Sequence, residues 1–495
     1  MKKLDKLFFG NLWNFFIQKK MLYLVIIIFI GLILRSLAAA HLAPSADEAV
    51  YGTHAIDFIN SKAVSNQNQS PIWFFLADLF YKLFGITLFT ARFTSILFSM
   101  LTILLVYLIS KQIFNEKLAL ISAALFSISA FSSRYMVMEM DPTFTFFFFL
   151  SAYLFIRDLL NKDKISILSA VFLGIAMLSK AISLMLAPSF LLIYLIYFVK
   201  NKEKRKVLIG KDNIKRAVIS IVIVLILLTP IFTYNYLLYK EKGLTDVMFA
   251  RFFDTSKDFY ASIASTIEPF SFDVFIKYGF RSPIELFLNY DLLLTILAFI
   301  GLIFIIIKNK SQLLILLSLL IPVYVFITGT SLLANHYVVF LPVLIIFSSL
   351  PIYYLYKKLN KRYIIIIILA LILIFNIFTL KETFTSKSAI GKLREFTIEN
   401  IDDSSLVIAD ARIYRGRIAW MFNDKHYIEA SLLDDVFNQL EKIQTQETPI
   451  KTYFIECVTD DCGWGTIKDQ PEFNQSMENL VDQFEKISNK KLDIT

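Results

Sequence analysis

Charge is what this sequence is short of. Of its 495 residues, 18% are charged and 57% are hydrophobic, with a mean hydropathy of +0.62. A soluble chain carries roughly 25% charged residues, so an ordinary cytosolic enzyme is excluded, and so is a disordered tail protein. Glycine and proline are scarce too, at 14 and 12 residues, which excludes collagen-like and low-complexity material. Two Cys and four scattered His leave no Cys/His framework for a metal. What the chain has in quantity is aromatic side chains, 15% of residues with 49 Phe, as expected where side chains face lipid and its interface. The composition is that of an all-α polytopic membrane protein.

Nearly charge-free apolar stretches long enough to span a bilayer (about 17–25 residues as helix) recur along the chain. Eleven spans are expected, at 21–43, 90–110, 118–135, 141–157, 165–180, 183–199, 217–238, 290–307, 312–329, 335–356 and 363–380. The stretches 165–180 and 183–199 also read as one long apolar block. The first stretch is too long for a signal peptide and shows no clear small-residue cleavage site, so it is expected to be retained as a span.

Cations give an expected orientation. Lys2, Lys3, Lys6, Lys19 and Lys20 precede the first span, and Lys111 and Lys117 follow the second. Arg157, Lys162 and Lys164 follow the fourth, and the loop KNKEKRKVLIGKDNIKR (200–216) holds eight cations. Lys308 and Lys310, then Lys357, Lys358, Lys361 and Arg362, complete the series. With eleven spans all these loops fall on one side, and the positive-inside rule makes that side cytoplasmic. The expectation is a multi-pass plasma-membrane protein with residues 1–20 inside and the C-terminus outside. The basic excess is topogenic, so nucleic acid is not an expected partner; membrane lipids are.

Three non-membrane regions fall outside. They are a first outer loop at 44–89, a second outer loop at 239–289 expected to carry interfacial helices (RFFDTSKDFY), and a C-terminal region, 381–495. The last alternates strand-like SLVIAD (405–410) and TYFIEC (452–457) with helical patterns at 431–443 and 477–487, as a small α/β domain would. Cys457 and Cys462 lie in it, and an oxidising compartment favours a disulfide between them over two free thiols.

Ionisable residues in or bordering a bilayer are costly and mark functional sites. Here they are Arg35, Arg92, Arg134, Glu139, Asp141, Lys180 and His336, all at the outer halves or outer mouths of spans, beside Asp47 and Glu48 of the first outer loop. Cations to hold a phosphate, carboxylates to handle a proton and an apolar groove for a tail suit a lipid-linked anion. Taken singly, each has a bland reading. An acidic pair in a loop is a solvated charge, Asp141-Pro142 starts a helix, and Lys180 snorkels.

The same residues carry a resemblance. HLAPSADEAVYGTHAIDF, the Pro-containing amphipathic segment after it, ALFSISAFSSRYMVMEMDPTFTFFFFL, FLGIAMLSKAIS and HYVVFLPVLIIF occur in the order seen in one family. The sequence resembles the GT-C glycosyltransferases of the protein O-mannosyltransferase and aminoarabinose-transferase type, well over about 20–200 and weakly over 330–350. The resemblance implies a GT-C membrane domain over 21–380. It also implies transfer of a sugar from a polyprenyl-phosphate donor to a protein, glycan or lipid acceptor at the outer face. Asp47 would be the general base and Glu48 would position it or the acceptor. Arg134, Lys180 and Arg92 would bind the donor phosphate, and Tyr51, Asp141 and His336 would line the site. Two places depart, because Val50 and Gln69 stand where some relatives carry Arg and Lys; phosphate binding is then expected from the other cations. The soluble domain is C-terminal here rather than inside a late loop, so the acceptor is not inherited from either branch.

Two other functions compete with this one. A transporter or flippase of a lipid-linked saccharide would place charges near the midplane and show matched halves, and neither is seen. An oligosaccharyltransferase-like subunit shares the architecture, but its acidic-x-acidic first loop and Trp-Trp-Asp signature are missing. No cofactor is called for; Asp47, Glu48 and His336 could join a divalent-metal site, though nothing in their spacing requires one.

Overall fold

The computed structural model describes residues 19–42, 44–60, 71–243, 245, 272–279, 281–330, 334–385, 389–410, 426–430 and 451–455. It divides into two compact units. One comprises Met1–Ala39, Ala63–Trp73 and Phe93–Glu382; the other comprises Ala40–Lys62, Phe74–Arg92 and Thr383–Thr495.

The first unit is a helical membrane domain. Among the described residues eight helices are long and apolar enough to cross a bilayer: Met21–His41, Leu88–Ile113, Asp141–Lys162, Ala181–Lys200, Lys211–Glu241, Phe272–Lys308, Lys310–Gly329 and Ala334–Leu359. Three of the eleven expected spans are shorter as helices. Ile167–Ser179 and Tyr363–Thr379 are apolar but brief, and the stretch 118–135 is cut at Ser129 into Glu116–Ile128 and Ala130–Tyr135. The expected 165–199 block is likewise broken, at Lys180, where an extended residue separates Ile167–Ser179 from the 3-10 turn Ala181–Met185.

Helices pack here through small residues, as they must where lipid gives no hydrophobic drive for association. Helix Arg281–Lys308 lies so close to Leu341–Leu359 that a Cβ on Gly301 would collide with the Phe347 carbonyl. Beside that crossing, Ser348 Oγ donates to the Leu294 carbonyl at 2.8 Å. Between Asp141–Lys162 and Ile167–Ser179, Ser151 and Ser169 each donate to the other's carbonyl at 2.8 Å. Gly174 makes room for Leu227 of Lys211–Lys242. On that long helix Val218, Ile221, Leu225 and Ile226 remain exposed, as a lipid-facing surface requires.

In the second unit, the C-terminal region holds helix Ala389–Asn400 and three strands, β1 (Leu406–Asp410), β2 (His426–Ala430) and β3 (Thr452–Ile455). The sheet order is β2-β1-β3, and both pairs are parallel, Leu406 meeting His426 and Thr452. Parallel pairing needs long connections, and the three strands are well separated along the chain. Central β1 is buried over Leu406–Ala409, as a strand flanked on both sides should be. Two of these strands match the expected runs; β2 was not anticipated. The helical patterns at 431–443 and 477–487, the segment RFFDTSKDFY, and Cys457 and Cys462 lie outside the described residues.

Candidate active site

In the membrane unit the expected charges collect at helix junctions. Asp141 is buried at the first position of helix Asp141–Lys162, with Pro142 behind it. Its Oδ1 accepts from Lys180 Nζ at 2.6 Å, while its Oδ2 is buried without a hydrogen-bond partner among the described residues. Lys180, 15% exposed, is the residue at which helix Ile167–Ser179 ends in extended conformation. The 3-10 segment Ala334–Phe340 packs on both Ala130–Tyr135 and Asp141–Lys162 and brings His336 within electrostatic reach of Lys180 and Asp141. Its neighbour Asn335 donates to Glu139 Oε2 at 2.6 Å.

Glu139 itself is buried at φ 56°, a left-handed conformation costly for a residue with a Cβ. Ser95 Oγ donates to its carbonyl. Glu139, Asp141, Lys180, Asn335 and His336 thus form one polar centre assembled from three chain breaks. Asp141, expected to line the site, takes the Lys180 ammonium. Arg134, half-buried, lies over the rings of Tyr135 and Tyr290 at 5.8 and 5.5 Å, and those two hydroxyls are 3.2 Å apart.

In the second unit, Asp47 and Glu48 occupy the first turn of helix Ala46–Ala55, where carboxylates favour the helix dipole. Ser45 and Glu48 make a reciprocal cap: the Glu48 N–H donates to Ser45 Oγ at 3.0 Å, and the Ser45 N–H donates to Glu48 Oε2 at 3.4 Å. Glu48 is also gripped by Arg92, whose Nε and Nη2 each donate to it at 2.7 Å, with both side chains buried. Arg92 Nη1 reaches back to the Leu42 carbonyl at 2.8 Å. The expected donor ligand Arg92 is therefore spent on holding this loop. Asp47, next to Glu48, is half-buried.

Tyr51, His54 and Phe58 pack on Phe74 of the amphipathic helix Pro71–Phe84, whose opposite face leaves Phe75, Leu79 and Leu83 exposed as an interfacial helix would. His54 Nδ1 is buried without a hydrogen-bond partner among the described residues, and that burial lowers its pKa below the ordinary 6.5.

Among the described residues no three His, Cys, Asp or Glu converge as a metal-holding group. Reasoning from the sequence missed Asn335, the structural weight of Glu139, and Asp291. The last was legible only as a single acid in NYDLLLT at the start of an apolar run.

Residues 68–237 match the family model described as dolichyl-phosphate-mannose-protein mannosyltransferase. The structure is similar to ArnT from Cupriavidus metallidurans bound to undecaprenyl phosphate, at 13% identity and TM-score 0.57, covering 87% of this chain and 89% of that one. It is also similar to the oligosaccharyltransferase of Archaeoglobus fulgidus solved with Zn and sulfate, at 15% identity and TM-score 0.55, covering 82% of this chain and 62% of that one. The archaeal oligosaccharyltransferase AglB from Archaeoglobus fulgidus, in complex with an inhibitory peptide and a dolichol-phosphate, aligns at 13% identity and TM-score 0.52, over 83% of this chain and 64% of that one. The membrane region has the GT-C fold. No curated protein sequence matches the chain. The likeness spans nearly all of ArnT but under two thirds of the archaeal enzyme's length.

Proposed function

We propose that this GT-C protein is a membrane glycosyltransferase that moves a sugar from a polyprenyl-phosphate carrier to an acceptor hydroxyl on the extracytoplasmic face. The observation that carries this reading is the Lys180–Asp141 pair, a cation kept nearly buried by one carboxylate oxygen at a broken helix of a fold that ArnT uses with undecaprenyl phosphate bound. A phosphate oxygen can replace Asp141 at the ammonium with a charge-assisted hydrogen bond of the same kind. Lys180 and Arg134 are the phosphate ligands, and Asp141 keeps Lys180 placed when the donor is gone. Arg92 is reassigned from the donor to Glu48.

Asp47 accepts the proton of the acceptor hydroxyl as that oxygen bonds to the anomeric carbon. The bond from that carbon to the phosphate oxygen breaks, and its electron pair leaves with the prenyl phosphate. The departing group gains negative charge, which Lys180 and Arg134 stabilise more strongly in the transition state than in the bound donor. Because the leaving phosphate is a weak base, no general acid is needed. Glu48 positions Asp47 through the capped first turn, and Tyr51 and His336 line the route.

A second reading, transfer of a lipid-linked oligosaccharide to a peptide, is favoured by the likeness to AglB alone. Residues 381–495 are read as a separate extracytoplasmic α/β domain serving the acceptor, with the N-terminus cytoplasmic at the plasma membrane. Cysteine labels placed near Lys206 and near Lys468 should react from opposite sides; labelling from one side contradicts that orientation. The activity is tested by offering purified protein in liposomes a panel of polyprenyl-phosphate sugars with peptide, glycan and lipid acceptors. Acceptor-dependent release of prenyl phosphate is expected for at least one pairing. Its absence throughout, with a lipid-diphosphate oligosaccharide active instead, would establish the second reading.

A further inference from the structure

The stretch 116–135 is apolar and carries no Pro or Gly at its break, yet it is two helices. The interruption is a single extended residue, Ser129, at φ −62° and ψ 128°. Cutting a helix inside a membrane domain strands carbonyls on one side and amides on the other, each costly without a partner. Here both sets are met by side chains from other helices. Arg35, fully buried, donates Nη2 to the Phe126 carbonyl at 3.1 Å and Nη1 to the Ser127 carbonyl at 3.0 Å. Asn376 Nδ2 donates to the Ile128 carbonyl at 2.8 Å.

Across the break, Asp291 accepts from the amides of Ala130 and Phe131 at 2.9 and 3.2 Å and from Ser129 Oγ at 2.6 Å. The Ser132 amide donates to Ser129 Oγ. A cation therefore closes the C-terminal end of the first half and an anion opens the second, the arrangement that helix dipoles favour. Both charged residues are built in. Gly31 leaves space for Arg35, whose Nη1 a Cβ there would approach to 3.1 Å, and Ser99 Oγ accepts from Arg35 Nε at 2.6 Å. Asp291 sits at a kink, φ −128° and ψ 51°, inside helix Arg281–Lys308.

That kink does a second thing. The residue before Asp291 is Tyr290, whose ring lies beneath the Arg134 guanidinium and edge-on to Tyr135 at 5.3 Å. Phe131 packs on Phe287 one turn earlier at 4.7 Å. The short helix Ala130–Tyr135 is thus fixed at its start by Asp291 and along its side by Phe287 and Tyr290, and Arg134 is carried near its end.

We propose that Arg35 and Asp291 are positioning residues for donor binding. They hold open a charge-capped helix break whose product is the placement of Arg134 against the phosphate of the lipid donor. The inference rests on Arg134 being a phosphate ligand, as proposed above. Asp291 acts through Arg134 and touches no substrate.

The test is a double-mutant cycle read as the Kd of undecaprenyl phosphate for the full-length protein in detergent micelles. Arg134→Gln is expected to weaken binding about ten-fold, the scale of one charge-assisted contact. Asp291→Asn alone is expected to weaken it by about five-fold or more. In the Arg134→Gln background Asp291→Asn should have no further effect, because the group it positions is already gone. Full additivity of the two changes would overturn the positioning role, since a general loosening of the fold costs the same with or without Arg134. No effect of Arg134→Gln alone, while wild type binds, would overturn the phosphate assignment of Arg134 and the inference with it. Where Asp291→Asn protein does not fold, Ser129→Ala removes one donor to the carboxylate and the cap on Ser132; the same non-additivity with Arg134→Gln is then expected, and additivity again overturns the proposal.

Discussion

Two buried ion pairs, one in each unit, look alike in sequence and differ in use. Glu48 and Arg92 are bidentate and buried, and each also bonds to the backbone, Glu48 at Ser45 and Arg92 at Leu42. Asp141 and Lys180 share one 2.6 Å contact, the ammonium is 15% exposed, and one Asp141 oxygen has no hydrogen-bond partner among the described residues. A saturated pair is a clamp, because opening it strands two buried charges. An unsaturated pair at a chain break can exchange one partner for a ligand. The first pair therefore shapes the loop that bears Asp47, and the second is the one proposed to take the donor phosphate.

The comparison is broken most sharply on activity. Asp47→Asn keeps the size of the side chain and removes the base, so sugar transfer should fall by about 10²–10⁴. Transfer at the wild-type rate would remove Asp47 from the chemistry and leave the clamp with nothing to present.

Next in size is the clamp itself. Arg92→Gln leaves Glu48 buried and unpaired, and losing one partner of such a pair costs about 3–5 kcal/mol. Thermal unfolding in detergent should show a clear drop in midpoint while the folded protein keeps its affinity for prenyl phosphate; Lys180→Ala strands the buried Asp141 and should lower the midpoint too, but it should also lose that affinity. An equal loss of prenyl-phosphate affinity in the two variants would erase the distinction between the pairs.

Smaller again is a control that touches neither pair. Gly301→Val forces apart Arg281–Lys308 and Leu341–Leu359 at the Phe347 carbonyl, and overpacking of this kind costs about 1–3 kcal/mol. Its midpoint should fall while the affinity for prenyl phosphate is kept, which would separate loss of packing from loss of the site.

The smallest effect concerns pH. Burial lowers the pKa of His54 below 6.5, so the unfolded chain binds the proton more readily than the folded one. The stability contribution from this group is then complete above pH 6.5 and is lost as pH falls through the lowered value. His54→Gln should flatten that part of the pH–stability profile; an unchanged slope would show that His54 stays neutral for some other reason or is not buried in solution.

Much of this was legible in the sequence because lipid imposes a simple rule. Long apolar runs gave the spans, and the residues interrupting apolarity, Asp141 and Lys180, did turn out to meet. What the sequence concealed is where a run breaks without a breaker. Ser129 is an ordinary residue in an apolar stretch, and the helix ends there because Arg35 and Asp291, distant in sequence, satisfy both severed ends. Arg35 was visible only as a costly charge, and Asp291 was overlooked because one acid near the start of a span resembles a boundary. The capped turn at Ser45 and Glu48 follows a recognisable spacing, yet the buried Arg92 that completes it lies 44 positions away. Strand β2 was missed for a local reason: HYIEA has weak alternation, and its pairing with β1 is what makes it a strand.

The most direct measurement is a titration of wild-type and Lys180→Ala protein with undecaprenyl phosphate, alongside their thermal midpoints. Binding by the folded variant, measured below its own unfolding midpoint, should be weakened by about ten-fold or more. Undiminished affinity in Lys180→Ala would contradict this account, because the open pair would then not be where the phosphate binds.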